Sequence, residues 1–231
     1  MKIQNKGNGK AEILIYEEIG EGWFGGIGAK RVAEDVKALG TLDEINVRIN
    51  SDGGQVFDGF AIYNTLVRNS ARIVVDVDGL AASIASIIAM AGDEINMAAN
   101  ASMMIHDPWG FAAGTAEEMR KTAELMDQLR SQLVDTYNAQ ANIDAEKISE
   151  LMSEETWMTA DQALEWGFIH NVTNELQIAA SANYKLLNRF KNAPETLLNN
   201  ENMLQSEATE QAKQDASVQL SKMSAKTRSY K

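Results

Sequence analysis

The chain has 231 residues, 45% of them hydrophobic, with two prolines and no cysteine: enough for one full core, with nothing for a disulfide framework or thiolate-bound metal. Its formal charge of −12 argues against nonspecific phosphate binding, which needs clustered Lys and Arg. The charge is uneven, with 13 basic and 28 acidic groups in residues 1–180 against 8 and 5 in 181–231.

Only His106 and His170 supply imidazole, so a zinc site lacks ligands and no metal or cofactor is expected. The uncharged run Gly79–Gly92 is 14 residues long, short of the roughly 20 that cross a bilayer as a helix. The amino terminus is polar and carries no apolar signal segment. These features predict a cytoplasmic chain that binds neither membrane nor nucleic acid.

In chain order, "AEILIYEEIG" (11–20) reads as an opening strand, and residues 21–40 turn on glycines into an amphipathic helix ending at Gly40. "EINVRIN" (44–50) alternates as a strand, "SDGGQV" (51–56) is a turn, and residues 57–70 are helical. "RIVVDVD" (72–78) is the next strand, 81–91 the next helix, and 94–108 two short strands around an Asn/Ala turn. This rhythm predicts an α/β layered fold.

Residues 115–139 set Met119, Ala123, Met126, Leu129, Leu133 and Tyr137 at helical spacing, a long amphipathic helix whose methionines read as core or interface filler. A helix at 144–155 follows, then a strand end, an Ala-rich helix and a Gly stop within 156–172. From about 179 the texture turns to Asn, Gln, Ser and Lys. The reading is a domain over 1–178 and a polar extension over 179–231, helical or disordered.

Three segments have the makings of a site. In "INSDGG" adjacent glycines after a strand allow a sharp turn that presents bare N–H groups, although glycine there often serves geometry alone. No Gly-Lys-Ser/Thr follows, which disfavours a phosphate loop. In "GLAASIAS" Ser83 falls at the first turn of an apolar helix, where free N–H groups favour developing negative charge; Ser86, one turn on, reads as packing. In "MMIHDPWG" His106 stands at a strand end beside a loop, placed to serve as base to a serine. His170 reads as structural. The acid that orients the imidazole is open among Asp107, Glu154, Glu155 and Asp161.

Taken together, "INSDGGQVFDGFAIYNTL", "GLAASIAS", "MMIHDPW" and "ETWMTADQALEWGFI" resemble, in order, four segments of the Clp protease proteolytic subunit (ClpP) family, over about Ile13 to Val172. The resemblance implies the family's α/β spiral of ββα units, shared with the crotonases, with a protruding long helix. It implies Ser83 as nucleophile, His106 as base and the N–H groups of Gly54 and Ile84 as oxyanion hole. The family's usual Asp falls on Glu155, with Glu154 next. It further implies a homo-oligomer, in heptameric or stacked rings, acting on protein or peptide.

The Gly-rich opening and the 179–231 extension look more like the ClpP-related prohead proteases of tailed phages and prophages. That likeness implies an ATP-independent serine endopeptidase cleaving scaffold or capsid protein during head maturation, in the bacterial host cell at assembling procapsids. Alternatives are a housekeeping-type peptidase working with an unfoldase, a crotonase-like acyl-CoA enzyme, and a noncatalytic capsid-assembly protein.

Overall fold

Ile45, Val47 and Ile49 are fully buried on one face of β3 (Glu44–Ser51), while Asn46 and Arg48 lie on the other. That alternation is the period of a strand. Our computed structural model describes residues 2–21, 26–174, 187–195 and 197. It contains an eight-stranded mixed sheet with the path β1 (Lys2–Gly7), β2 (Lys10–Ile15), β3, β4 (Arg72–Ala82), β5 (Glu94–Ala98) and β8 (Asn171–Thr173). Pairing is parallel except at the β1–β2 hairpin and between β6 (Ser102–Ile105) and β7 (Thr156–Thr159).

β4 decides where the site lies. It pairs with β5 over Val74–Val77 and with β6 over Leu80–Ala82. Alternating burial stops at Val77, and every residue from there to Ala82 is buried. The β3–β4 register shifts between Ile49 and Ser51. On the more polar face, buried Asp78 accepts both Nε and Nη2 of Arg48 at 2.8 Å and the Tyr16 hydroxyl, tying β2, β3 and β4 together.

The helices are α1 (Ala29–Ala38), α2 (Val56–Val67), α3 (Ile84–Ala89), α4 (Ala116–Asn138), α5 (Ala145–Ser153) and α6 (Ala160–Glu165). α4 opens on a capping box, in which Thr115 and Glu118 satisfy each other's N–H groups. It buries Leu129, Leu133, Val134 and Tyr137 in its second half, while Met119 and Leu125 in its first half are exposed. The methionine stripe therefore meets the core only in part.

Three expectations change. α3 begins at Ile84, not 81, because Ala81 and Ala82 continue β4. The hairpin strand β1 was not expected, and neither was β8. The chain divides into two compact units, Met1–Asn192 and Ala193–Lys231. Most of the expected 179–231 extension lies outside the described residues, but Leu187–Asn192 belongs to the first unit. In the second, the Leu197 N–H donates to the Pro194 carbonyl at 2.9 Å. Among the described residues, no helix is long and apolar enough to cross a membrane.

Candidate active site

The turn from β4 into α3 holds Ser83 at φ 54° and ψ −129°. A side chain in such a conformation costs of order 1–3 kcal/mol, which the surroundings must repay. The Ser83 N–H donates to the Met104 carbonyl of β6 at 2.9 Å, and the whole of α3 behind it is buried. A sharp strand-to-helix turn of this kind lifts a hydroxyl clear of its neighbours. Ser83 Oγ is hydrogen-bonded to His106 Nε2 at 2.8 Å.

Ser86 does more than fill space. Its Oγ is fully buried, donates to the Ser83 carbonyl at 2.6 Å and lies 2.8 Å from the Tyr137 hydroxyl. A hydroxyl has one proton, so Tyr137 donates to Ser86, which donates to the backbone of Ser83. Burial pushes the Tyr137 phenol well above its ordinary range, keeping it a neutral donor.

The glycine turn after β3 stands against the elbow. A Cβ on Gly53 would lie 2.8 Å from both the Ala82 carbonyl oxygen and Ser83 Cβ, and 3.4 Å from the Ile84 nitrogen; its φ is +98°. Only glycine fits there without a shift. The Ser51 hydroxyl braces this turn, accepting the Gly53 N–H and donating to the Glu17 carbonyl. On its other side Ile19 takes the Gln55 N–H and donates to the Gly53 carbonyl. Gly54, at φ +144°, lines the cleft with Ser83. Ile84 is the first residue of α3, so its N–H has no acceptor within the helix.

His106 follows β6, with its ring half-buried. Burial holds its pKa below the ordinary 6.5, while the charges of Glu155 and Asp107 pull the other way. The imidazole is thus kept neutral near pH 7, the form that accepts a proton. The ring of Phe190 packs edge-on against it at 5.3 Å and also meets Trp157 at 5.8 Å.

Glu155 sits one residue past the cap of α5, at φ 53°, with its N–H on the Met152 carbonyl. Helices usually place glycine there. Its Oε1 accepts the Asn192 N–H at 2.7 Å and the Trp157 indole N–H at 3.4 Å, and its Oε2 accepts the Lys191 N–H at 3.0 Å. No hydrogen bond joins it to His106 among the described residues; it acts on the ring through its charge.

Among the described residues, none of the other candidate acids is hydrogen-bonded to His106. Asp107 accepts from Arg130 Nε at 2.6 Å and the Ser153 hydroxyl. The Glu154 backbone carbonyl accepts the Asn192 side-chain amide, and Asp161 is exposed in the first turn of α6. His170 Nδ1 accepts the Ile95 N–H at 2.9 Å, a bond within the fold. Leu187, Arg189 and Phe190, which fall in the segment read as a polar extension, were not anticipated at the site; the weak signal was two large apolar residues three apart.

The cleft over Ser83 and His106 has a volume of about 260 Å³ and is also lined by Glu18, Gly54, Trp109, Arg189 and Phe190. Among the described residues no group of three or more His, Asp or Glu is arranged to hold a metal. A strained serine bonded to an imidazole that burial keeps neutral, beside a glycine turn and a helix start, has the parts that nucleophilic attack and oxyanion binding need.

A family model for Clp protease matches residues 9–175, and the chain belongs to that family. It is 34% identical over 131 residues to an ATP-dependent Clp protease proteolytic subunit of Bacteroides thetaiotaomicron, covering 56% of this chain and 60% of that one. The ATP-dependent Clp protease proteolytic subunit 1 of Salinibacter ruber is 31% identical over 142 residues, covering 61% of each. The chain thus spans about three fifths of the length of these relatives. A ClpP1 variant from Listeria monocytogenes shares the fold at a TM-score of 0.63 and 23% identity, covering 71% of this chain and 91% of that one.

Proposed function

We propose that the chain is a serine endopeptidase with Ser83 as nucleophile and His106 as base. The observation that carries this is the 2.8 Å bond between Ser83 Oγ and His106 Nε2 at a strained elbow. Nε2 takes the hydroxyl proton as Oγ attacks a peptide carbonyl. The N–H groups of Gly54 and Ile84 receive the oxyanion, each worth about 2.7–4 kcal/mol in the barrier. Imidazolium then protonates the leaving amine, and water repeats the cycle on the acyl-enzyme. Glu155 stabilises the imidazolium by its charge and, once its oxygens are free, orients the ring from Nδ1.

An extended protein segment, laid by strand addition near the Gly53–Gln55 turn, is the substrate. For the biological role, the Gly-rich opening and the extension beyond 178 support a phage prohead-type enzyme acting without ATP on scaffold or capsid protein, as a ring-forming homo-oligomer. The names of the curated relatives favour the other reading, a subunit fed by an ATP-dependent unfoldase. A fluorophosphonate probe with mass mapping tests the chemistry: stoichiometric labelling at Ser83, lost in Ser83→Ala, is expected, and labelling elsewhere or nowhere overturns it. Cleavage of purified scaffold protein without nucleotide separates the two roles.

A further inference from the structure

The stretch Leu187–Asn192 is the only part of the chain after 174 described within the first unit, and it is seated on the site. Leu187 is buried, the Arg189 guanidinium lies 5.8 Å over the Trp109 ring, and Phe190 packs on His106. The main chain of Lys191 and Asn192 then donates two N–H groups to the Glu155 carboxylate, while the Asn192 side chain reaches the Glu154 carbonyl. Leu187 to Phe190 is closed into a turn by the Phe190 N–H on the Leu187 carbonyl. A scissile strand must be extended to present its carbonyl to a nucleophile, so this segment occupies the cleft without lying in it as a substrate does.

We propose that the His106 side of the cleft is a docking site for the chain's own Leu187–Asn192, which competes with incoming protein and engages Glu155 away from His106. The inference rests on the peptidase reading above. Phe190 fills the space beside the imidazole, Arg189 anchors on Trp109, and Glu155 is the acceptor that locks the segment down. Both of the carboxylate's oxygens are used in the closed arrangement. Release frees them for His106 Nδ1 in the same event that opens the cleft. Occupancy and readiness of the acid are therefore coupled, and a partner or substrate that displaces the segment also completes the triad.

The test uses the full chain with Phe190→Ala and Asn192→Pro, the second removing one donor to Glu155. If the closed form holds about nine tenths of the molecules, opening raises turnover of a short fluorogenic peptide about tenfold. Fluorophosphonate labelling of Ser83 should quicken in parallel, and a synthetic hexapeptide of residues 187–192 added in trans should slow both variants. The acid limb of the pH profile should move upward, because a freed Glu155 and a better-hydrated ring both favour imidazolium. Variants that melt as the starting chain does but turn over no faster would overturn the docking proposal while Ser83 labelling leaves the peptidase standing. Absence of Ser83 labelling in every chain would remove both.

Discussion

The two sides of the cleft over Ser83 and His106 are built from different material. On the nucleophile side, Ser83 is fixed by the main chain of β6, the buried helix α3 and the Ser86–Tyr137 hydroxyl pair. On the acid side, Glu155 lies at a helix end, and its carboxylate is satisfied by a segment more than thirty residues further on. The first arrangement draws on the core. The second rests on exposed hydrogen bonds, which are cheap to break, so it can serve as the adjustable half of the site.

The largest effect should come from the fixed side. Ser83→Ala is expected to cost about six orders of magnitude in kcat, as removal of a serine protease nucleophile does, with no loss of melting temperature, since it relieves no buried partner. Active-site titration with hydrolysis of a short peptide measures it. Glu155→Gln should cost less, up to about 10⁴ in kcat, the loss seen when the orienting carboxylate of a serine triad becomes an amide. A loss as large as that of Ser83→Ala would mean that the two sides are equally fixed and would break the contrast.

A smaller loss is expected from Gly53→Ala, whose Cβ would press on Ala82 and Ser83. It should lower kcat by about 10²–10³, the value of one disturbed oxyanion donor, with little change in KM. In pH, His106 ionises below 6.5, and its protonated form cannot accept the Ser83 proton. Activity is then retained at pH 6.5 and lost as pH falls through the lower pKa. Glu155→Gln removes a charge that favours imidazolium, so the limb should move lower still, and kcat/KM against pH reports the shift.

The smallest effects are expected behind the nucleophile. Ser86→Ala strands the buried Tyr137 hydroxyl and should cost about 1–3 kcal/mol of stability, whereas Tyr137→Phe removes only the donor and should cost about 1 kcal/mol. Denaturant melts of the two variants, and of the double, read the coupling. If Ser86→Ala abolished activity while Ser83→Ala did not, the assignment of the nucleophile would be reversed.

The same contrast explains what could be read from the sequence. On the nucleophile side the local pattern of alternating strands, a glycine turn and a small-residue helix singles out Ser83 and His106, and the resemblance to the ClpP family implies that they act together. β1 could not be read this way because "KIQNKG" is a polar edge strand with no residue fully buried, held by its hairpin rather than by a core face. β8 is three residues long, below the length at which alternation means anything. The sequence pattern starts α3 at 81 because Ala81 and Ala82 suit either state; in the structure they continue β4, and the strained turn at Ser83 separates strand from helix. On the acid side the residues alone left Asp107, Glu154, Glu155 and Asp161 open, and only the family resemblance pointed to Glu155. Its partners at Lys191 and Asn192 carry no local signature, since main-chain donors are common to every residue.

The pair of hydroxyls between Tyr137 and the Ser83 carbonyl also has a mechanical reading. α4 spans Ala116–Asn138, its first half exposed and one face of its second half buried through Leu129, Leu133, Val134 and Tyr137. Tyr137 stands near the anchored end, two hydrogen bonds from the nucleophile's own peptide unit. The two hydroxyls thus tie the buried end of α4 to the turn between β4 and α3, so that the last turn of the helix and the Ser83 carbonyl share one chain of hydrogen bonds.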